Sequence, residues 1–149
     1  MTAFTLATPL GAVTLRESDD RIVALDWGGA ETDETPLLQD AAAQLAAYFD
    51  GRLTAFDLPL DFGMGLHERV RRTMAAIPFG ETLTYGDIAR RIEAPAQAVG
   101  QACGANPIPI IIPCHRVLGA KTLGGFSAKG GVETKVWLLR HEHAANLLI

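Results

Sequence analysis

The chain is short of several features that would have announced a class at once. Only two cysteines, Cys103 and Cys114, occur in its 149 residues, too few for the disulfide scaffold of a small secreted domain. They form no C-x-x-C pair, and the four histidines, His67, His115, His141 and His143, do not combine with them at zinc-finger spacing. No metal site is expected. No apolar run approaches the roughly 20 residues that cross a bilayer. The opening residues, MTAFTLATPLGAV, lack the basic and apolar regions of a signal peptide. The expectation from these absences is a soluble cytoplasmic protein with no membrane partner.

What is present is ordinary globular material, 48% hydrophobic and 20% charged, long enough for one large domain or two small ones. The net charge of −4 hides an asymmetry: residues 1–63 hold 3 Lys/Arg against 11 Asp/Glu, while residues 64–149 hold 10 against 6. The C-terminal part is therefore basic on its own, a hint of a polyanion partner. Two differently charged faces without a partner are the alternative on charge alone.

AFTLATPLGAVTLRES reads as a β-hairpin around a Pro-Leu-Gly turn, and RIVALDWG as a third strand beyond the Asp19-Asp20 turn. PLLQDAAAQLAAYFDG has apolar residues at helical spacing (Leu37, Leu38, Ala41, Leu45, Tyr48), with Gly51 closing the helix. The Pro/Gly-punctuated TAFDLPLDFGMG places a linker near residue 63. Three helices then follow. One carries Leu66, Val70, Met74 and Ile77; a second, capped by Thr84, carries Ile88 and Ile92; a short third, AQAVGQACGANP, consists largely of small residues. The last two read as a helix-turn-helix. PIPIIIPCHRV reads as a strand entering a Cys-His turn, before a Gly-rich loop and a final amphipathic helix, VETKVWLLRHEHAANLL.

The two thiols differ in setting. Cys103, within a small-residue helix, reads as a buried space-filler. Cys114 lies in a Pro-flanked turn beside His115 and Arg116, groups that lower a thiol pKa. A thiolate with a nearby imidazole is a nucleophile-and-base pair, and Glu142 is a candidate to orient that imidazole. Acyl, glycosyl and alkyl transfer all remain open on this chemistry.

NPIPIIIPCHRVLG, residues 106–119, resembles the active-site signature of the O6-alkylguanine-DNA alkyltransferases (methylated-DNA–protein-cysteine methyltransferases). The flanks agree in order and spacing: TPLGAVTL, IPFGETLTYGDIA, AVG, GGFS and KVWLLRHE. The resemblance implies a mixed α+β (α/β) chain. Residues 1–63 would form a small ribonuclease-H-like domain, and residues 64–149 a winged-helix-like, helix-turn-helix DNA-binding domain holding the cysteine.

The implied activity is single-turnover repair. Cys114 would take the alkyl group from O6-alkylguanine, and by extension O4-alkylthymine, in double-stranded DNA and keep it as a thioether, without any cofactor. The base would be flipped out of the stack, because its O6 cannot be reached inside the duplex. The resemblance gives His115 the thiol proton through a water, with Glu142 orienting the ring. Asn106 would brace the turn. Tyr85 would rotate the nucleotide and donate to the leaving guanine, supported by Lys135. Ser127 would bond near O6, with Pro109 and Val117 lining the pocket. Gln97, Ala98, Gly100, Gln101 and Thr84 would meet DNA in the minor groove, bound by a monomer. Arg116 is then a structural, backbone-facing residue.

Some positions depart from the family pattern. Gln97 stands where an arginine usually fills the gap left by the flipped base, and Phe126 where a tyrosine is common. Leu66, His67 and Arg71 replace a Phe-Gln-aromatic pattern. A second hypothesis is a non-catalytic, alkyltransferase-like lesion sensor, but such relatives replace the cysteine that this chain keeps.

Overall fold

A computed structural model describes residues 1–126 and 130–144. The chain divides into two compact units, Met1–Asp61 and Phe62–Ile149.

The first unit is an antiparallel meander, β1 (Thr2–Thr8), β2 (Gly11–Ser18) and β3 (Arg21–Trp27), covered by helix α1 (Pro36–Phe49). The β1–β2 turn is closed by Thr8, whose hydroxyl donates to the Gly11 carbonyl at 2.6 Å and accepts from the Leu10 amide at 3.1 Å. Asp19 and Asp20 make the β2–β3 turn, both left-handed at φ 52° and 59°. Two such residues give a tight turn whose twist suits a hairpin. Phe4 pairs with Leu15 and Leu6 with Val13 across the first ladder.

Val13, Leu15, Ile22 and Leu25 are buried, as are Leu38, Ala41, Leu45 and Tyr48 of α1. Their spacing of three and four residues puts the α1 set on one helix face. Thr35 caps α1 by accepting from the Leu38 amide at 3.2 Å, and Pro36 begins the first turn, where its missing N–H costs nothing. Residues 57–61 return alongside: Gln44 holds the Asp57 backbone through both amide atoms, and Ile22 exchanges bonds with Pro59 and Asp61.

The second unit is helical, with α2 (Gly65–Ala75), α3 (Tyr85–Ile92), α4 (Ala96–Gly104) and α5 (Val132–His141). Strands β4 (Leu83–Thr84) and β5 (Val117–Leu118) form a short parallel pair. A reciprocal capping box starts α3, the Thr84 hydroxyl accepting from the Asp87 amide and the Asp87 carboxylate from the Thr84 amide. Glu93, left-handed at φ 55°, ends it, so α3 and α4 are joined only by Glu93, Ala94 and Pro95. This is the helix-turn-helix expected from the sequence. Val70, Met74, Ile77, Ile88, Ile92, Val99, Leu138 and Leu139 are buried in the core.

The isoleucine run corrects one expectation. Residues 106–113 form no strand but a chain of turns, with Ile110 left-handed at φ 72°. Pro107, Pro109 and Pro113 remove three amide donors from the segment, so it cannot sustain a ladder. Ile108, Ile110, Ile111 and Ile112 are nevertheless buried. The run behaves as a hydrophobic plug, its burial favourable by about 1.5–3 kcal/mol per side chain. Glu142 also moves from its expected place: it follows α5 as the C-cap residue rather than sitting within the helix.

Candidate functional site

Cys114 opens a single 3-10 turn, Cys114–Arg116, directly after Pro113. The turn is held from behind by Asn106. Its side-chain amide donates to the Ile112 carbonyl at 2.9 Å, and its oxygen accepts from the Ile108 amide at 3.1 Å. Asn106 thus supplies hydrogen bonds that a strand partner would otherwise have provided. The segment can then stay irregular, buried and fixed.

Cys114 borders a cavity of about 490 Å³, a size suited to a small organic ligand. Tyr85 and Phe126 supply aromatic wall; Gly100, Cys103 and Gly104 of α4 and Gly125 of the Gly-rich loop supply the rest. Gly124 sits behind Tyr85 so closely that a Cβ there would come within 3.0 Å of the phenol oxygen. Burial pushes the Cys114 thiol above its usual range, against the opposing pull of Asn106, Lys135 and nearby backbone amides. The sulfur is therefore a protonated thiol at neutral pH, and it needs a base.

That base stands next to it. His115 is fully buried, and its Nε2 lies 2.7 Å from Glu142 Oε2. Burial pushes the imidazole below its usual pKa, the Glu142 carboxylate pulls it up, and the Arg116 and Lys135 charges push it down. The net result is a neutral ring. Burial alone would raise the Glu142 carboxyl, but bonds from His115 and Arg116 outweigh it and hold the group at about 2. An ionised carboxylate only accepts, so Nε2 carries the ring proton and Nδ1 is left as the acceptor. Nδ1 makes no hydrogen bond to the described residues.

Tyr85, the first residue of α3, is pushed up in pKa by burial and by the two neighbouring thiols, so its phenol remains a donor. Lys135 is fully buried rather than on a solvated face. Its Nζ donates to the carbonyls of Val117 at 2.6 Å and Gly125 at 3.0 Å, and it lies 6.0 Å from the Tyr85 ring centre. Burial brings its pKa down to about 8. Lys135 ties the Gly-rich loop to β5 and puts a cationic centre behind the cavity.

The remaining residues named from sequence fall into two places. Gln97 and Gln101 are exposed on α4, with Ala98 and Gly100 half-buried between them; Thr84 is half-buried as the α3 cap. Pro109 and Val117, read as pocket wall, are buried but do not border the cavity. Ser127 lies outside the described residues.

Three residues were missed or misjudged. Cys103 is buried, as expected of a space-filler, yet it borders the cavity. Its thiol is pushed up to about 12, first by burial and then by Cys114. Gly100, Cys103 and Gly104 stand three and four residues apart, so helical spacing could have placed them together. Arg71 donates to the carbonyls of Phe62 and Ala105, bracing the end of α4. Arg116 faces backbone as expected, at Ile77, but it also grips Glu142.

Comparison with known proteins gives this constellation a context. Residues 65–144 match the family profile described as 6-O-methylguanine DNA methyltransferase, DNA binding domain, and residues 2–62 its ribonuclease-like domain. The chain is 43% identical to the methylated-DNA–protein-cysteine methyltransferase of Mycolicibacterium paratuberculosis, covering 93% of this chain and 90% of the relative. It is 38% identical to the constitutive enzyme of that name from Bacillus subtilis, covering 93% of each. The crystal structure of Mycobacterium tuberculosis OGT in complex with DNA superposes with a TM-score of 0.86 at 40% identity, over 96% of this chain and 93% of that one. The chain belongs to the 6-O-methylguanine DNA methyltransferase family.

Proposed function

We infer that this protein repairs DNA by direct reversal, transferring the alkyl group of O6-alkylguanine to Cys114 in a single displacement. The observation that carries the reading is the placement of Cys114 on the cavity wall, followed in the chain by a neutral His115 ring bonded to the Glu142 carboxylate. The thiol proton passes to Nδ1 of His115 through a bridging water, and the sulfur attacks the alkyl carbon. The C–O bond breaks as the C–S bond forms, and the departing guanine receives a proton from the Tyr85 hydroxyl. A thioether offers no easy leaving group, so each molecule reacts once.

DNA is the partner, and the second unit carries the features suited to it. Its basic excess includes Arg90 and Arg91, exposed in the last turn of α3, where they can neutralise phosphates. Gln97 and Gln101 project from α4, whose small residues allow close approach to a groove floor, here assigned to the minor groove. The alkylated base leaves the stack to enter the cavity, because its reacting atom is shielded inside the duplex. One protein molecule suffices for this geometry.

Incubation with a duplex containing O6-methylguanine, followed by intact-mass measurement, tests the reading. A gain of one methylene, mapped to Cys114 and lost in Cys114→Ser, is expected. Tight lesion binding without a mass change would replace repair by sensing.

A further inference from the structure

The buried cluster around Glu142 contains more than a proton relay. Arg116 Nε donates to Glu142 Oε1 at 2.8 Å and its Nη2 to Oε2 at 3.0 Å. Oε2 also receives His115 Nε2 at 2.7 Å. The third arm of the guanidinium, Nη1, donates to the Ile77 carbonyl at 2.6 Å. Residual exposure is 0% for His115, 2% for Glu142 and 6% for Arg116. Arg116 therefore bridges three pieces of chain: its own 3-10 turn, the segment just after α2, and the C-cap of α5.

We propose that Arg116 is a positioning residue for alkyl transfer: its fork fixes the Glu142 carboxylate and so holds His115 in the tautomer whose free Nδ1 accepts the thiol proton. The proposal rests on the alkyl-transfer reading above. A carboxylate held by one partner can rotate about its last bond, whereas two parallel N–H···O bonds fix both its plane and its position. Glu142 Oε2 can then meet His115 Nε2 in one orientation only. The third bond, to Ile77, prevents the guanidinium from following any movement of the carboxylate.

Arg116 acts by charge as well. The charged and titratable groups that act on the His115 ring are Glu142, Arg116 and Lys135. Glu142 favours the imidazolium, while Arg116 and Lys135 oppose it. Without Arg116 the carboxylate's pull meets less opposition, and His115 protonates at higher pH. An imidazolium cannot accept the thiol proton, so the acid limb of the transfer rate moves up in pH.

Single-turnover methyl transfer measured across pH for wild type, Arg116→Gln and Arg116→Lys tests this. Arg116→Gln is expected to raise the midpoint of the acid limb, and a rise of about one pH unit lowers the rate on that limb about tenfold. Arg116→Lys, which keeps the charge but not the fork, is expected to restore the midpoint while leaving the plateau rate several-fold reduced. An Arg116→Gln profile that keeps the wild-type midpoint overturns the proposal, even with a uniform loss of rate, and leaves Arg116 a purely structural residue. Should Arg116→Gln not fold, Arg116→Lys decides: a wild-type plateau rate overturns the role of the fork. NMR titration of the His115 ring reads the same rise in midpoint without any transfer. Failure of the positioning role is thereby distinguished from failure of the repair reading.

Discussion

Replacing Asn106 with alanine tests whether one side chain stands in for a strand partner. Asn106 satisfies the Ile112 carbonyl and the Ile108 amide, and both isoleucines are fully buried. Each backbone group left without a partner costs about 1–3 kcal/mol. The Ile112 carbonyl keeps the Cys114 amide at 2.8 Å, so the Ile108 amide alone is left without a partner. The predicted loss is about 1–3 kcal/mol, a sizeable share of the ~5–15 kcal/mol that stabilises a domain.

The two tryptophans make the measurement local: Trp27 lies in the first unit and Trp137 in the second. In a Trp27→Phe background, urea unfolding followed by fluorescence reports the second unit alone. The midpoint should fall with little change in slope, since the surface exposed on unfolding is nearly the same. Asn106→Asp keeps the acceptor for Ile108 and loses the donor to Ile112, so it should fall between wild type and Asn106→Ala. A second unit whose stability in Asn106→Ala stays within ~0.5 kcal/mol of wild type, the range of a plain surface change, would refute the role given to Asn106.

Gln97→Arg should speed repair of a duplex lesion more than reaction with free O6-alkylguanine, because a longer cationic side chain helps only where a base must be extruded; equal effects on both substrates would remove Gln97 from that step. Glu142, held at about 2 against a usual 4.5, contributes stability above pH 4.5 that is lost as pH falls toward 2, about 3 kcal/mol in all. Acid titration of wild type against Glu142→Gln should show that difference disappearing over this interval, and a constant gap would contradict it. Lys135, lowered to about 8 from 10.5, makes the folded state bind fewer protons than the unfolded one between those values. Its contribution to stability should therefore rise with pH across that window, and the rise should be missing in Lys135→Met.

Sequence periodicity carried most of the fold. The paired runs around Pro9-Leu10 and Asp19-Asp20 became the meander, and Thr84 proved to be the cap of α3. The strands, the helices and the helix-turn-helix were legible from such patterns, whereas the mixed α+β fold class came from the family resemblance. The isoleucine run was not, because four apolar residues give no period and their turns are held by the side chain of Asn106 just before them and by three prolines. Cys114, His115 and Glu142 were legible as chemistry, since a nucleophile, a base and an orienting acid are recognisable residue types. The grip of Arg116 on Glu142 was not. It joins residues 26 positions apart, and its cause is the way the end of α5 folds back over the cysteine turn. Cys103 was half legible: its burial follows from composition, but its place on the cavity wall depends on which face α4 presents.

The central claim is that Cys114 is consumed by one transfer. Mixing the protein with an excess of duplex bearing radiolabelled O6-methylguanine, and counting label bound to protein at long times, tests it most directly. A plateau at one methyl per molecule, all of it on the peptide carrying Cys114 and with the remaining lesions untouched, is the predicted result. Continued loss of lesion beyond one equivalent, or label on any other residue, would contradict the account.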